Sequence, residues 1–195
     1  QGHYVDKENG VFLGHTRLSI IDLSEKANQP FIKDSSVIVY NGEIYNFKEL
    51  KNDLKNKFLQ TNSDTEVLLS LWKQDRLQGL RKIDGMFAFA IYDSDNSKVI
   101  IARDRIGKKP LYIYTNGSDL MFSSELIGIK AAIKDLDINE EAVSSYLRTG
   151  FFFRHHTPYS DIEEVEAGSV YEIDIKDLSI TKNRFFNHKK FYNCQ

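Results

Sequence analysis

The chain has 195 residues, 26 of them basic and 28 acidic, with a formal net charge of −2. That near balance offers no footprint for a nucleic-acid backbone or an anionic membrane surface, so neither partner is expected. At 41% hydrophobic the chain can bury a sizeable core, yet no apolar run approaches the ~20 residues a membrane-spanning helix needs.

The first residues, Gln1-Gly2-His3-Tyr4, contain neither an initiator methionine nor a signal peptide, and read as the start of a trimmed piece. Residues 11–22 read as a strand, with Gly14 marking a bend or a close backbone approach. A polar loop with Pro30 covers 24–35. Residues 36–40 form an apolar strand that ends in the polar set Asn41-Gly42-Glu43. Asn46 is placed to cap a helix over about 47–57, whose Phe47, Leu50 and Leu54 share a face with Phe58. A short strand near Phe58–Thr61 follows. Ser63-Asp64-Thr65-Glu66 has capping-box spacing and opens a helix carrying Val67, Leu68, Leu71 and Trp72, with a second short helix near 76–82.

Met86–Tyr92, Val99–Ala102, Leu111–Tyr114 and Leu120–Ser123 read as central strands covered on both faces. Helices are expected at about 124–133 and 139–148, the latter capped by Asn139. Val170–Ile175 and Ile180–Phe186 alternate as a late hairpin. Strand groups interrupted by paired helices imply stacked sheets with helices outside; a three-layer α+β sandwich fits the same pattern.

Three polar clusters sit at strand or helix ends. Arg17 lies beside Ser19; Asn41, Gly42 and Glu43 follow a strand; Asp64 starts a helix. If the strand ends converge, they offer one cation, two carboxylates and a pair of N–H donors. A free α-amino acid needs such a set: a guanidinium fork for its carboxylate, carboxylates for its ammonium, and donors for an oxyanion at an amide under attack. Simpler roles exist for each. Asn-Gly is a strong hairpin-turn signal, Asp64 serves as a helix cap, Arg17 as half of a surface ion pair, and Glu43 as a solvated turn residue.

Several motifs then occur in order: Gly14-His15-Thr16-Arg17-Leu18-Ser19-Ile20-Ile21-Asp22, Gln29-Pro30, Tyr40-Asn41-Gly42-Glu43-Ile44-Tyr45-Asn46, Ser63-Asp64-Thr65-Glu66, Gly85–Ala90, Arg103–Gly107 with Lys109-Pro110-Leu111, and Ser124-Glu125-Leu126. Together they resemble the glutaminase domain of class II glutamine amidotransferases, on the asparagine synthetase branch, from about Gly2 to Ile175. The resemblance implies an α+β fold of the N-terminal-nucleophile type, a four-layer αββα sandwich here missing its first strand. It implies that Arg17 holds the α-carboxylate of L-glutamine, that Glu43 and Asp64 hold its ammonium, and that the backbone at Ile20 and Ile21 lines the pocket. It further implies an oxyanion hole of the Asn41 side chain and the Gly42 N–H.

The family's nucleophile is a cysteine at the very start of the mature chain, with its own α-amine as base. The 195 residues contain one cysteine, Cys194, at the far end, for which an incidental role is expected. A lone cysteine also fits a reducing, cytoplasmic setting. These 195 residues are therefore expected not to hydrolyse glutamine unaided; a truncated copy of a longer enzyme is favoured over a glutamine-binding module without catalysis. No cofactor or metal is expected in this domain, taken as 1–182. ATP and Mg²⁺ belong by resemblance to a synthetase domain reached through a linker at 183–195. A homodimer is compatible with the sequence.

Two stretches depart from the pattern. Residues 150–167 differ from the family's loop, which leaves the amide acceptor open between aspartate and another carboxylate, such as that of a polysaccharide sugar. His155-His156 has no third metal ligand at a recognisable spacing. Arg103-Asp104-Arg105 is read as a buried ion-pair network behind the site, and Lys108-Lys109 as a charged turn.

Overall fold

The computed structural model describes residues 1–16, 24–55 and 58–187. In chain order the first strands are β1 (Gly2–Asp6), β2 (Val11–His15), β3 (Phe31–Lys33) and β4 (Ser36–Ile44), with a 3-10 turn at Glu25–Ala27. Helices α1 (Phe47–Asp53) and α2 (Asp64–Lys82) precede β5 (Gly85–Asp93), β6 (Lys98–Arg103), β7 (Tyr112–Thr115) and β8 (Leu120–Ser123). Helices α3 (Leu126–Ala132) and α4 (Glu140–Thr149) and strands β9 (Ile162–Glu164), β10 (Ser169–Asp174) and β11 (Ile180–Arg184) complete it.

The centre is a six-stranded antiparallel sheet in the order β11-β10-β6-β5-β4-β3. Strand β5 shows why it is central. Its Phe87, Phe89 and Ile91 enter one core with Leu68, Leu71 and Trp72 of α2, while its Ala88, Ala90 and Tyr92 enter a second core on the opposite face. Both sets of side chains are buried, so the two-residue pleat period carries apolar groups out on each side. The second core is closed by Val11 and Leu13 of β2 and by Leu111 and Ile113 at β7. These belong to a second layer built from β1 with β2 and, as a separate set, β8-β7-β9. Helix α3 covers its outer face, where Ile129 packs with Tyr114 and Ile162. The layers thus run α, β, β, α: an α+β sandwich. Each fully buried large apolar side chain contributes about 1.5–3 kcal/mol relative to exposure, so Leu68, Leu71 and Trp72 hold α2 firmly on the sheet and fix where its first turn lies.

Several expectations need correction. The 24–35 loop contains the 3-10 turn and edge strand β3. The polar set at 41–43 is no turn: β4 runs straight through it to Ile44, paired residue by residue with β5. Pairing along the whole of β5 outweighed the local Asn-Gly preference. No strand forms at Phe58–Thr61, and Phe58 is exposed rather than on the buried face of α1. The capping box is only half made. Ser63 Oγ accepts from the Thr65 N–H at 3.2 Å, but Glu66 turns away to Gln60 and Thr61. Strand β8 is an edge, partly exposed throughout. The linker placed at 183 starts too early, since β11 continues to Arg184 and Phe185 is in the core. The helix expected near 76–82 is there, joined to the preceding one across a kink at Arg76.

Candidate active site

The site is built on an open strand edge. Strand β3 covers β4 only from Ser36 to Ile38. Beyond that, side chains replace the absent strand. Gln29 accepts from the Tyr40 N–H at 2.6 Å and donates to the Tyr40 carbonyl at 3.1 Å. Four residues along, the Ile44 N–H donates to Asp64 Oδ2 at 3.1 Å. Backbone groups alternate sides along a strand, so the Gly42 N–H, lying between these two, points to the same open edge. The far side of the pair agrees. Opposite Gly42 is Phe87, whose N–H and C=O are both engaged by Asp104, away from β4. Gly42 and Phe87 are therefore a pair without mutual hydrogen bonds, and the Gly42 N–H is left facing the edge.

Only glycine fits there. A Cβ at 42 would sit 2.2 Å from the Met86 carbonyl oxygen and 2.8 Å from Phe87 Cα.

The side chains beside Gly42 are equally uncommitted. Val37 and Val39 point into the second core, so Asn41 and Glu43 continue that face past the point where the second layer covers it. Among the described residues, neither the Asn41 amide nor the Glu43 carboxylate has a hydrogen-bond or ion-pair partner. Asn41, Gly42, Glu43 and Asp64 all line one cavity of about 1150 Å³. Its opposite walls come from the two parts of the second layer: Gly14, His15 and Thr16 at the end of β2, and Ser123, Ser124 and Glu125 between β8 and α3. Four of the residues singled out from sequence thus share one space. Arg17, Ile20 and Ile21 lie outside the described residues.

Asp64 is not the helix cap; Ser63 is, and Asp64 is the first helical residue. It is buried, and its Oδ2 also accepts from the Tyr40 hydroxyl at 2.9 Å. Burial first, then the Asp64 charge, raises the Tyr40 hydroxyl far above the ordinary phenol range, so it remains a donor at any physiological pH. Gln29 and Tyr40 were legible only as members of ordered motifs, with no role attached. Their work depends on an edge that exists only once β3 has stopped.

Supporting groups lie just behind. Glu66 is fully buried and accepts from Lys33 Nζ at 2.8 Å, from the Gln60 N–H at 3.0 Å, and from the Thr61 N–H and hydroxyl at 2.8 Å each. Burial pushes its carboxyl up, but these donors, Lys33 foremost, outweigh that and hold it below the ordinary value. The expected network at Arg103-Asp104-Arg105 takes another form. Arg103 pairs with Glu164 at 2.7 Å and donates to three carbonyls, of Gly107, Lys109 and Val165. Asp104 accepts from the N–H groups of Phe87, Ile106, Lys108 and Lys109. Arg105 donates to the Arg81 carbonyl and lies over the Phe186 ring. These residues knit backbone rather than pair with one another, and Asp104 thereby holds Phe87 opposite Gly42.

His155 lies 3.5 Å from the Glu166 carboxylate, and among the described residues no group of three or more His, Cys, Asp or Glu side chains is placed to hold a metal ion. Nor is any described helix long and apolar enough to cross a membrane.

A family model described as a glutamine amidotransferase domain matches residues 1–186. The chain belongs to that family. The amidotransferase domain is 36% identical over 189 residues to the glutamine-hydrolyzing asparagine synthetase 1 of Bacillus subtilis, covering 95% of this chain and 29% of the relative. It is 35% identical over 187 residues to asparagine synthetase 2 of the same organism, covering 89% of this chain and 24% of that one. Among solved structures it resembles glutamine phosphoribosylpyrophosphate amidotransferase from B. subtilis, with a TM-score of 0.58 at 25% identity over 88% of this chain and 34% of that one. The fold is thus of the N-terminal-nucleophile amidotransferase type. The chain spans under a third of the length of both these synthetases.

Proposed function

We propose that this domain binds L-glutamine and, with a thiol nucleophile contributed from outside these 195 residues, releases its side-chain nitrogen as ammonia for an asparagine synthetase. One observation carries this reading. An amide, a strand N–H and a carboxylate on three successive residues, all uncommitted among the described residues, share a cavity with the buried carboxylate of Asp64. Groups left unpaired beside a buried network are expected where a ligand completes them.

In this reading Glu43 and Asp64 hold the ammonium, and Arg17 pairs with the α-carboxylate beside the backbone of Ile20 and Ile21. Attack on the amide carbon places negative charge on its oxygen, and the Asn41 Nδ2–H and Gly42 N–H receive it. Cleavage of the C–N bond gives ammonia, and water releases glutamate from the acylated thiol. The names of the relatives make aspartate the proposed acceptor. ATP and Mg²⁺ serve a further domain that follows a linker beyond β11, and the enzyme is cytoplasmic.

The test is NMR titration of the 195-residue chain with L-glutamine. Saturable binding that Arg17→Ala and Asp64→Asn each weaken by roughly tenfold or more, yet leave measurable at high ligand, is expected. Failure to bind, or binding indifferent to both substitutions, overturns the reading. Glutamate release by the 195-residue chain alone would overturn the need for an outside nucleophile.

A further inference from the structure

Asp64 is held in place before any ligand arrives. Its Oδ2 takes both strong hydrogen bonds, from the Tyr40 hydroxyl at 2.9 Å and the Ile44 N–H at 3.1 Å. Its Oδ1 has only a long contact with the Ser63 hydroxyl at 3.5 Å. The residue is 5% exposed. Two donors on one oxygen fix the plane of the group and leave the other oxygen with spare acceptor capacity.

Tyr40 is itself anchored at both ends. Its ring sits in the core with Leu68 and Phe89, and its backbone N–H and C=O are both closed by Gln29. Gln29 is 8% exposed, and its Nε2 also lies 3.5 Å from Thr65 Oγ1, in the first turn of α2. A chain of contacts therefore runs from the loop before β3, through β4, to the head of α2. No other described side chain donates to Asp64 Oδ2.

We propose that Tyr40 is a positioning residue for ammonium recognition: its hydroxyl, steadied by Gln29 at the backbone, locks Oδ2 of Asp64 and presents Oδ1 to the α-ammonium of the substrate. This rests on the reading of Asp64 as an ammonium ligand. Tyr40 borders the cavity, but its hydroxyl is committed to Asp64 and serves to hold that carboxylate rather than the substrate. Its contribution is that the carboxylate loses little torsional freedom when the ligand binds.

The consequence is selective. Tyr40→Phe removes one oxygen and keeps the ring in the core. It should weaken L-glutamine about five- to tenfold, the scale of part of one hydrogen bond to a charged group. It should leave 4-carbamoylbutanoate, which is glutamine without its amino group, within about twofold. A purely structural role would weaken both ligands alike. NMR titration of the 195-residue chain with each ligand reads the two affinities, and a thermal melt follows folding of each variant. In an Asp64→Asn background, Tyr40→Phe should change L-glutamine binding by less than about twofold, because the two groups act as one unit.

Equal weakening of both ligands overturns the assignment, as does no weakening of L-glutamine, or a full additional loss in the Asp64→Asn background. Failure of the unsubstituted chain to bind L-glutamine overturns the glutamine reading and this assignment with it. Binding by that chain which Tyr40→Phe does not touch overturns this assignment alone.

Discussion

Replacing Gly42 by alanine is a test of sign as well as size. At a site whose backbone an alanine tolerates, Gly→Ala stabilises a protein by about 0.4–1 kcal/mol through the unfolded chain. Here the added Cβ would meet the Met86 carbonyl oxygen at 2.2 Å, Phe87 Cα at 2.8 Å and Tyr40 Cε2 at 2.9 Å. The first two are backbone atoms of β5 and cannot rotate aside. Nor can β5 retreat, because Asp104 ties the Phe87 N–H and C=O from the other side. Gly85, across from Ile44, makes the same close approach, with its own would-be Cβ 2.4 Å from the Glu43 carbonyl oxygen. Overpacking of a close-packed core costs about 1–3 kcal/mol, and the rigid neighbours place this case near the top, at about 3 kcal/mol. For a chain of this size that lowers the melting temperature by about 6–12 °C. Urea denaturation and thermal melts of the 195-residue chain read both figures. Equal or greater stability in Gly42→Ala would refute the narrow β4–β5 pairing, and with it the argument that the Gly42 N–H faces the open edge.

Glu66→Gln should cost about 2–4 kcal/mol, because Lys33 and the Gln60 and Thr61 donors lose a buried anion; urea titration measures it. Since the folded Glu66 carboxyl titrates below its unfolded counterpart, its stabilisation is fully present above the ordinary glutamate value and is lost as pH falls through the folded one. The acid limb of the stability profile should therefore flatten in Glu66→Gln. Tyr92 gives the opposite limb: burial, then its hydrogen bond to Asp6, pushes its hydroxyl up to about 12. Stability should fall as pH climbs from about 10 to 12, where the unfolded phenol ionises first, and Tyr92→Phe should remove that slope. Asp104→Ala orphans four N–H groups and should cost about 3–5 kcal/mol, by urea unfolding, although Asp104 does not itself line the cavity. Asn41→Ala should leave stability within about 0.5 kcal/mol while cutting glutaminase kcat about 10²–10³-fold in a longer, nucleophile-bearing protein.

Much of the fold was legible because its signals are local and redundant. Phe87 to Tyr92 and Val99 to Ala102 are apolar at every position, which only strands buried on both faces require. Helix α4 carried its own cap in Asn139, whose side chain accepts from the Ala142 N–H. Signals that compete were misread. Asn41-Gly42 favours a turn over four residues, but nine residues of pairing between β4 and β5 decide the matter. Glu66 has the spacing of a capping box, yet the charge of Lys33, 33 positions away in sequence, draws it elsewhere.

The kinds of groups available, and the family they belong to, are readable from the order of the amino acids. Asn41, Gly42, Glu43 and Asp64 were identifiable because an amide, a small residue and two acids stand in ordered motifs. That β3 stops short, that Gln29 and Asp64 close Tyr40 and Ile44, and that the N–H between them stays open among the described residues follow from the packed fold. Which backbone groups a strand leaves unpaired is a property of its neighbours, and its neighbours here come from distant parts of the chain.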